Sequence, residues 1–194
     1  MSRPADPRAI ADPELVRLLA SPVRQELVDT LAALGGMASV ATLAEQLGRP
    51  ADGLYHHMRL LAAAGLVDAM EADTGGERRY RLVGDGSPIR LAYRQGPDGN
   101  TDALSQFARA LLHVARSDFD AAVDRPGVAL AGPQRQLWAS RTTGWLSDDD
   151  LVEVNRLLER LGAMLSQPKS EERSRLMSLA FALAPLHPRP KRRD

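Results

Sequence analysis

The sequence predicts a mainly α (α+β) fold, with an N-terminal domain of short helices that ends in a β-hairpin and a helical C-terminal region with a small β element. Three observations predict this fold. Alanine and leucine each occur 29 times among 194 residues, and both favour helices. Apolar residues recur at helical spacing through residues 12–64. The pattern then becomes alternating over 66–83, around the turn signal Thr74-Gly75-Gly76.

Composition and charge exclude several classes of protein. The content of 44% hydrophobic and 26% charged residues is that of a globular protein rather than a disordered one. The absence of cysteine excludes disulfides, thiolate metal sites and a cysteine nucleophile. Twenty-five basic and 25 acidic residues balance, which excludes a uniformly basic coat for nucleic acid. With no long apolar stretch and no signal sequence, we expect a cytoplasmic protein that does not bind membranes.

The N-terminal part begins with residues 1–11, which are polar and are expected to form a loose arm. Asp12-Pro13 is typical of a helix start, with an N-cap residue followed by proline at the first helical position. Ser21-Pro22 repeats this signal for a second helix, which Gly35-Gly36 ends. The sequence therefore predicts two short helices before residue 36.

Two further helices follow, joined by a tight turn. Ser39 is a good N-cap for a short helix that ends at Gly48. Gly48-Arg49-Pro50 forms the turn, and the next helix extends over 51–64. The alternating segment 66–83 comes directly after it and places Tyr80 and Leu82 on one side of a predicted hairpin. Helix, turn, helix and hairpin in this order are typical of a winged helix-turn-helix.

The helix over 51–64 has the two faces that such a motif needs. Successive residues lie 100° apart around a helix, so Leu54, Met58 and Leu61 share a narrow apolar arc. The opposite side carries polar and aromatic side chains that suit base edges and phosphates, and His57 lies at the boundary. The outward residues are Asp52, Tyr55, His56 and Arg59.

The C-terminal part is less regular in sequence. Residues 84–100 are rich in glycine and resemble a linker, although 89–93 is compatible with a short strand. A long helix is predicted from Thr101 to about residue 123, and a second one follows the N-cap Ser147. Residues 137–146 and 176–183 are strand candidates. Trp138 and Trp145 are expected to be core or interface anchors, with a ligand pocket as the alternative.

At this point residues 12–83 resemble the ArsR-type winged-helix transcriptional regulators. Four stretches at the proper mutual spacing carry the resemblance: Ala20-Ser21-Pro22-Val23-Arg24, Leu43-Ala44-Glu45-Gln46-Leu47-Gly48, Tyr55-His56-His57-Met58-Arg59-Leu60-Leu61 with Ala64-Gly65-Leu66-Val67, and Glu77-Arg78-Arg79-Tyr80-Arg81-Leu82. The resemblance implies that the helix over 51–64 reads the major groove of DNA. It also implies that the hairpin over 66–83 is a wing touching a groove or the backbone, and that the protein is a dimer.

The resemblance and the helical pattern together give a set of candidate DNA-binding residues. The set is Ser39, Arg49, Asp52, Tyr55, His56, His57, Arg59, Arg78, Arg79 and Arg81. Residues 1–90 contain ten arginines and twelve acidic residues, which gives a net charge of −2. Phosphate contacts supply most non-specific affinity for DNA. We therefore expect a few placed arginines to carry binding, with a shallow dependence on salt.

Metal ligation and catalysis have weaker support. Asp148, Asp149 and Asp150 fill the first turn of a helix, where the helix dipole favours negative charge. His113 with Asp118, Asp120 and Asp124 resembles a helix-borne zinc site, but no second histidine follows. The thiolate motif of metal-sensing ArsR-type proteins is absent. We therefore predict no metal and no cofactor, and since no nucleophile lies near a base in the sequence, no enzyme.

The sequence thus predicts a DNA-binding domain over 12–90, a dimerisation and effector domain over 101–186, and a basic tail over 187–194. The helix over 101–123 is apolar around much of its circumference, which favours a homodimer. The expected function is a sequence-specific repressor of transcription whose partners are double-stranded DNA, a second copy and an unidentified small-molecule effector. The alternative is a protein-interaction module on the same scaffold that does not bind DNA.

Overall fold

The computed structural model describes residues 9–71, 77–84, 89–96, 98–167 and 169–186. Within these ranges the helices and strands are, in chain order, α1 (Pro13–Leu19), α2 (Pro22–Ala33), β1 (Met37–Ser39), α3 (Val40–Leu47), α4 (Ala51–Ala63), β2 (Val67–Met70), β3 (Arg79–Leu82), α5 (Thr101–Val123) and α6 (Asp148–Leu165). The predicted mainly α fold with a small sheet is confirmed. The turn Thr74-Gly75-Gly76, the tail over 187–194 and residues 1–8 of the predicted arm lie outside the described residues.

The helix boundaries follow from local chemistry. The Asp12 carboxylate accepts a hydrogen bond from the backbone N–H of Glu14 at 2.8 Å, and Pro13 occupies the first position of α1. The Ser39 hydroxyl caps α3 in the same way, accepting from the N–H of Thr42 at 3.1 Å. Gly48 ends α3 with φ +61°, in the left-handed region that favours glycine. Ser39 and Gly48 thus fix where α3 begins and ends, and with it where the chain turns towards α4.

The sheet has three antiparallel strands in the order β1-β3-β2. Tyr80 and Leu82 of β3 are buried and Arg79 and Arg81 are exposed, as their alternation predicts. Strand β1 was not predicted, because three residues are too short to show a period. It pairs Ser39 with Arg79, which places the start of α3 beside the hairpin.

The core lies between the sheet and the first four helices. Its fully buried side chains include Leu27 and Leu31 of α2 and Leu43 of α3, together with Met58 and Leu61 of α4. Helix α5 returns to this core and packs against α1 and α2. Its buried residues are both alanines, Ala103 and Ala110, which allow the helices a close approach.

The segment predicted to resemble a linker is anchored at its end by Asn100, which is 2% exposed. The Asn100 amide donates hydrogen bonds to the carbonyls of Ala11 (2.9 Å) and Ala92 (2.8 Å) and accepts one from the N–H of Arg94 (3.0 Å). Residues 89–93 form one parallel bridge, between Leu91 and Ile10, rather than a strand. Asn100 thus connects the chain before α1 to the start of α5.

The two strands predicted in the C-terminal region are wrong for this chain. Within the described ranges, neither 137–146 nor 176–183 forms a strand or pairs with one. A strand needs a neighbour for its N–H and C=O groups, and this chain provides none there. Trp138 is 70% exposed and Trp145 fully exposed, so neither tryptophan is a core anchor within the chain. None of the helices in the described ranges is long and apolar enough to cross a membrane.

We expect Ser39→Ala to lower the free energy of unfolding by about 1 kcal/mol, because it removes the N-cap of α3. The matched control is Ser21→Ala. Ser21 precedes α2, but its side chain makes no capping hydrogen bond. Urea unfolding monitored by circular dichroism checks the prediction, and an equal loss in both variants would show that the Ser39 cap adds nothing.

Candidate nucleic-acid interface

Helix α4 presents one buried and one exposed side, as predicted. Leu54, Met58 and Leu61 are at most 2% exposed and face the core. The candidate contact residues on the other side are all exposed: Asp52, Tyr55, His56 and Arg59. The exposed side therefore offers a carboxylate, a phenol, an imidazole and a guanidinium along a single helix.

Helix α3 supports α4 from behind. It packs against both α2 and α4, with Leu43 fully buried at the contact. Pro50 precedes α4 and gives it no side-chain cap. The first N–H groups of α4 are thus without a side-chain acceptor at the exposed start of the helix, where the helix dipole favours an anion.

The hairpin of β2 and β3 carries three exposed arginines: Arg78, Arg79 and Arg81. The register places Arg79 opposite Ser39 on one side and Met70 on the other. Arg81 lies opposite Asp68 and donates a hydrogen bond to its carboxylate at 3.1 Å. The wing therefore exposes three arginines, one of which is paired with an acidic residue.

Glu77 connects the wing to the first helix of the motif. Its carboxylate accepts a hydrogen bond from the backbone N–H of Ala41 at 3.2 Å, in the first turn of α3. A carboxylate is favoured at this position because the start of a helix carries partial positive charge. Glu77 thus connects the segment just before β3 to the start of α3.

Arg49, in the turn between α3 and α4, is also held by a carboxylate. It donates to Glu26 of α2 at 2.7 Å, and the Arg49 side chain is 41% exposed. Since the pair links α2 to the turn, it orients the guanidinium while leaving part of it accessible. Arg49 and Arg81 are therefore both positioned by acidic partners, one on each side of the site.

His57 lies at the boundary of α4, as predicted, and is half-buried. Its Nδ1 is buried and has no hydrogen-bond partner among the described residues. Burial, and then the positive charges of Arg24, His56 and Arg49, hold the pKa of His57 below its ordinary value. The neighbouring His56 ring meets it edge-on, with centroids 5.6 Å apart. This environment therefore favours the neutral form of His57.

All of the predicted contact residues except Ser39 have exposed or half-buried side chains. Ser39 differs from the others, because it is only 8% exposed and its hydroxyl serves as the cap of α3. The described residues contain no group of three or more His, Cys, Asp or Glu side chains that could hold a metal ion.

Sequence reasoning missed the acidic partners Glu26, Asp68 and Glu77. The hairpin predicted from the alternating sequence could have indicated Asp68, because one residue of its first strand must lie opposite Arg81 of its second strand. No local signal connects Glu26 to Arg49, since they lie 23 residues apart.

Residues 19–68 match the family model described as a helix-turn-helix domain. The match covers α2, β1, α3 and α4 and ends at the start of β2. The chain therefore carries a helix-turn-helix domain, a fold with which transcriptional regulators bind DNA. Comparison with curated proteins returns no match.

We expect His57 to contribute a loss of stability as the pH drops below the ordinary histidine pKa of about 6.5. The unfolded chain takes up a proton there that the folded His57 resists, so this contribution to stability rises with pH in this window. Thermal unfolding at about pH 7.5 and about pH 5.5 should show a smaller loss for His57→Gln than for the wild type. The control His113→Gln, at an exposed histidine of α5, should lose as much as the wild type, and equal losses in all three proteins would contradict the assignment.

Proposed function

We propose that the protein is a sequence-specific DNA-binding regulator of transcription of the ArsR type, acting as a dimeric repressor. Helix α4 enters the major groove, and the β2–β3 hairpin is the wing that contacts the adjacent groove or backbone. The observation that carries the proposal is the division of α4 into a side locked in the core and a side of four exposed polar or aromatic residues.

The dimensions of α4 suit this role. Its 13 residues give a length of about 20 Å, and the major groove is about 12 Å wide and admits a helix. Arg59 has the fork of donors that pairs with the O6 and N7 atoms of guanine, and His56 and Tyr55 can donate to acceptors of bases or phosphates. Asp52 can accept from the amino group of cytosine.

Phosphate contacts come from the two flanks of α4. On one side are Arg49 and the N–H groups at the start of the helix, and on the other are the wing arginines Arg78 and Arg79. Acidic partners already hold Arg49 and Arg81, so part of the phosphate attraction is offset by Glu26 and Asp68. This supports the shallow salt dependence expected from the net charge of residues 1–90.

A homodimer is supported by α5. One side of α5 is buried against α1 and α2, while a second apolar side stays partly open, as in Leu104, Leu111 and Phe119. A two-fold dimer through this side would present two α4 helices to half-sites about 10 bp apart, or a multiple of that spacing. A small-molecule effector would then act through the C-terminal region, by changing the separation of the two α4 helices.

The second candidate is a protein-interaction module that does not bind DNA. The net charge of −2 over residues 1–90 and the pairing of Arg49 with Glu26 favour it. The two candidates differ at low salt, where a DNA-binding domain binds any duplex through its phosphates and an interaction module does not.

The test is binding to duplex DNA from upstream of the protein's own gene, against a scrambled duplex, over a series of salt concentrations. We expect preference for the native duplex at physiological salt. Arg59→Ala and His56→Ala should each weaken binding by about tenfold or more and leave thermal unfolding unchanged, because both side chains are exposed. Arg109→Ala, at an exposed arginine of α5, is the matched control. Normal binding by both α4 variants would exclude α4 as the reading helix.

We expect Glu26→Gln to tighten DNA binding by about two- to fivefold, since it frees Arg49 and removes a negative charge beside the turn. The slope of log affinity against log salt should steepen by about one phosphate contact per subunit. Glu14→Gln, in the exposed first turn of α1, is the control for loss of one acidic charge. Unchanged affinity and slope in Glu26→Gln would show that Arg49 does not contact the backbone.

A further inference from the structure

The C-terminal arm, defined as residues 128–167 and 169–186, exposes much of its apolar surface. No described residue beyond Ala110 is buried. Of the 22 large hydrophobic side chains that are exposed within the described ranges, 16 lie between Leu130 and Leu186. Exposed apolar surface on this scale marks an interaction site rather than an ordinary protein surface.

Helix α6 has an apolar stripe that the described residues leave unburied. The stripe consists of Leu151, Val154, Leu158, Leu161 and Leu165, at the alternating spacing of three and four residues that packs one helix against another. No residue of α6 is buried. The helix nonetheless has a well-formed N-terminus, because Ser147 and Asp150 form a capping box. An isolated helix of this length is only marginally stable in water, so α6 needs a packing partner.

Two segments of the arm, 137–146 and 176–183, also lack partners within the described ranges for their backbone N–H and C=O groups. No backbone hydrogen bond joins 137–146 or 176–183 to another described residue. In 176–183 one side carries the large residues Met177, Leu179, Phe181 and Leu183, and the other carries only Leu176 and small residues. Such alternation is typical of a strand with one side against a core. The segment 176–183 therefore has the pattern of a strand without a sheet, and 137–146 has no backbone partner among the described residues.

We propose that the C-terminal arm docks on the C-terminal arm of a second copy of this chain, where 137–146 and 176–183 pair as strands and the α6 stripe covers them. This inference rests on the proposed dimer and extends it. Helix α5 leads directly into the arm, so a dimer that forms through the open side of α5 brings the two arms together.

Surface area supports a second copy as the occupant. The chain exposes 15162 Å², whereas a compact monomer of 21.1 kDa exposes about 9,000 Å². The excess is larger than the about 800 Å² that each partner contributes to a standard interface, so the chain exposes enough surface for a stable dimer.

Charge supports the same occupant. The arm contains seven basic and seven acidic residues, so it has no net charge with which to repel a second arm. A strongly charged partner would in turn find no complementary field there. An apolar, electrically balanced surface is one that fits a copy of itself.

The first test compares Val154→Asp with Val152→Asp. Val154 belongs to the α6 stripe, whereas Val152 lies on the opposite side of the helix and is 69% exposed. A charge in a packed interface should raise the Kd of the dimer by at least about 30-fold, as measured by sedimentation. The control should leave it unchanged. Equal effects of the two variants would overturn the proposal.

Tryptophan emission gives a second readout, because both tryptophans of the chain, Trp138 and Trp145, lie in the arm. If the arms dock, emission of the wild type is that of buried indole and shifts to that of exposed indole on dilution. Val154→Asp should show exposed indole at all concentrations.

Hydrogen exchange of the full chain distinguishes a second copy from the other ways in which the surface of the arm could be covered. Protection of amides in 137–146 and 176–183 that grows with protein concentration and is lost in Val154→Asp supports a second copy. Protection at all concentrations in a monomer would show that the arm folds onto its own chain. No protection at any concentration would show that a copy does not fill the surface. Both of these results overturn the proposal.

These measurements contain no DNA, so they succeed or fail independently of the proposed DNA binding. A dimer that exchanges as expected but binds no DNA would contradict the proposed function alone. Specific DNA binding by a chain whose arms stay unprotected would contradict the arm proposal alone.

Discussion

The burial of Leu54, Met58 and Leu61 is the constraint on which the site depends. These three side chains share one side of α4, and each contributes roughly 1.5–3 kcal/mol when it leaves water. Because they insert between α2, α3 and the sheet, α4 cannot rotate about its axis without exposing them. The outward direction of Tyr55, His56 and Arg59 is therefore fixed by apolar packing behind them, and not by their own interactions.

Acidic side chains position the arginines and the wing around the packed helix α4. Glu26 orients Arg49, Asp68 orients Arg81, and Glu77 holds the wing against α3. Exposed ion pairs contribute little to the free energy of folding, so their main effect here is on the position of charge. A domain with a net negative charge can thus still hold individual guanidinium groups in defined positions.

The two halves of the chain differ in how much of their apolar surface they bury. The N-terminal domain buries its apolar residues within its own fold, and Asn100 secures the junction with α5. The arm after α5 carries equally apolar sequence but buries no residue in this chain. Exposed leucines and tryptophans are unfavourable in water, and in the dimer proposed above a second copy covers them, so that the dimer is part of the fold.

The sequence by itself determined the features that depend on local chemistry and on period. The caps Asp12 and Ser39, the left-handed Gly48, the two faces of α4 and the alternation of β3 all follow from residues within a few positions of each other. The pairing of β1 with β3, the Asn100 contacts and the link from Glu26 to Arg49 join residues distant in sequence, so only the tertiary structure decided them. The segments 137–146 and 176–183 show that local pattern alone does not decide a strand. Their sequences predict strands, but a strand exists only where a neighbour completes its hydrogen bonds. Periodicity reports which side of a segment is apolar, and only packing decides what covers that side.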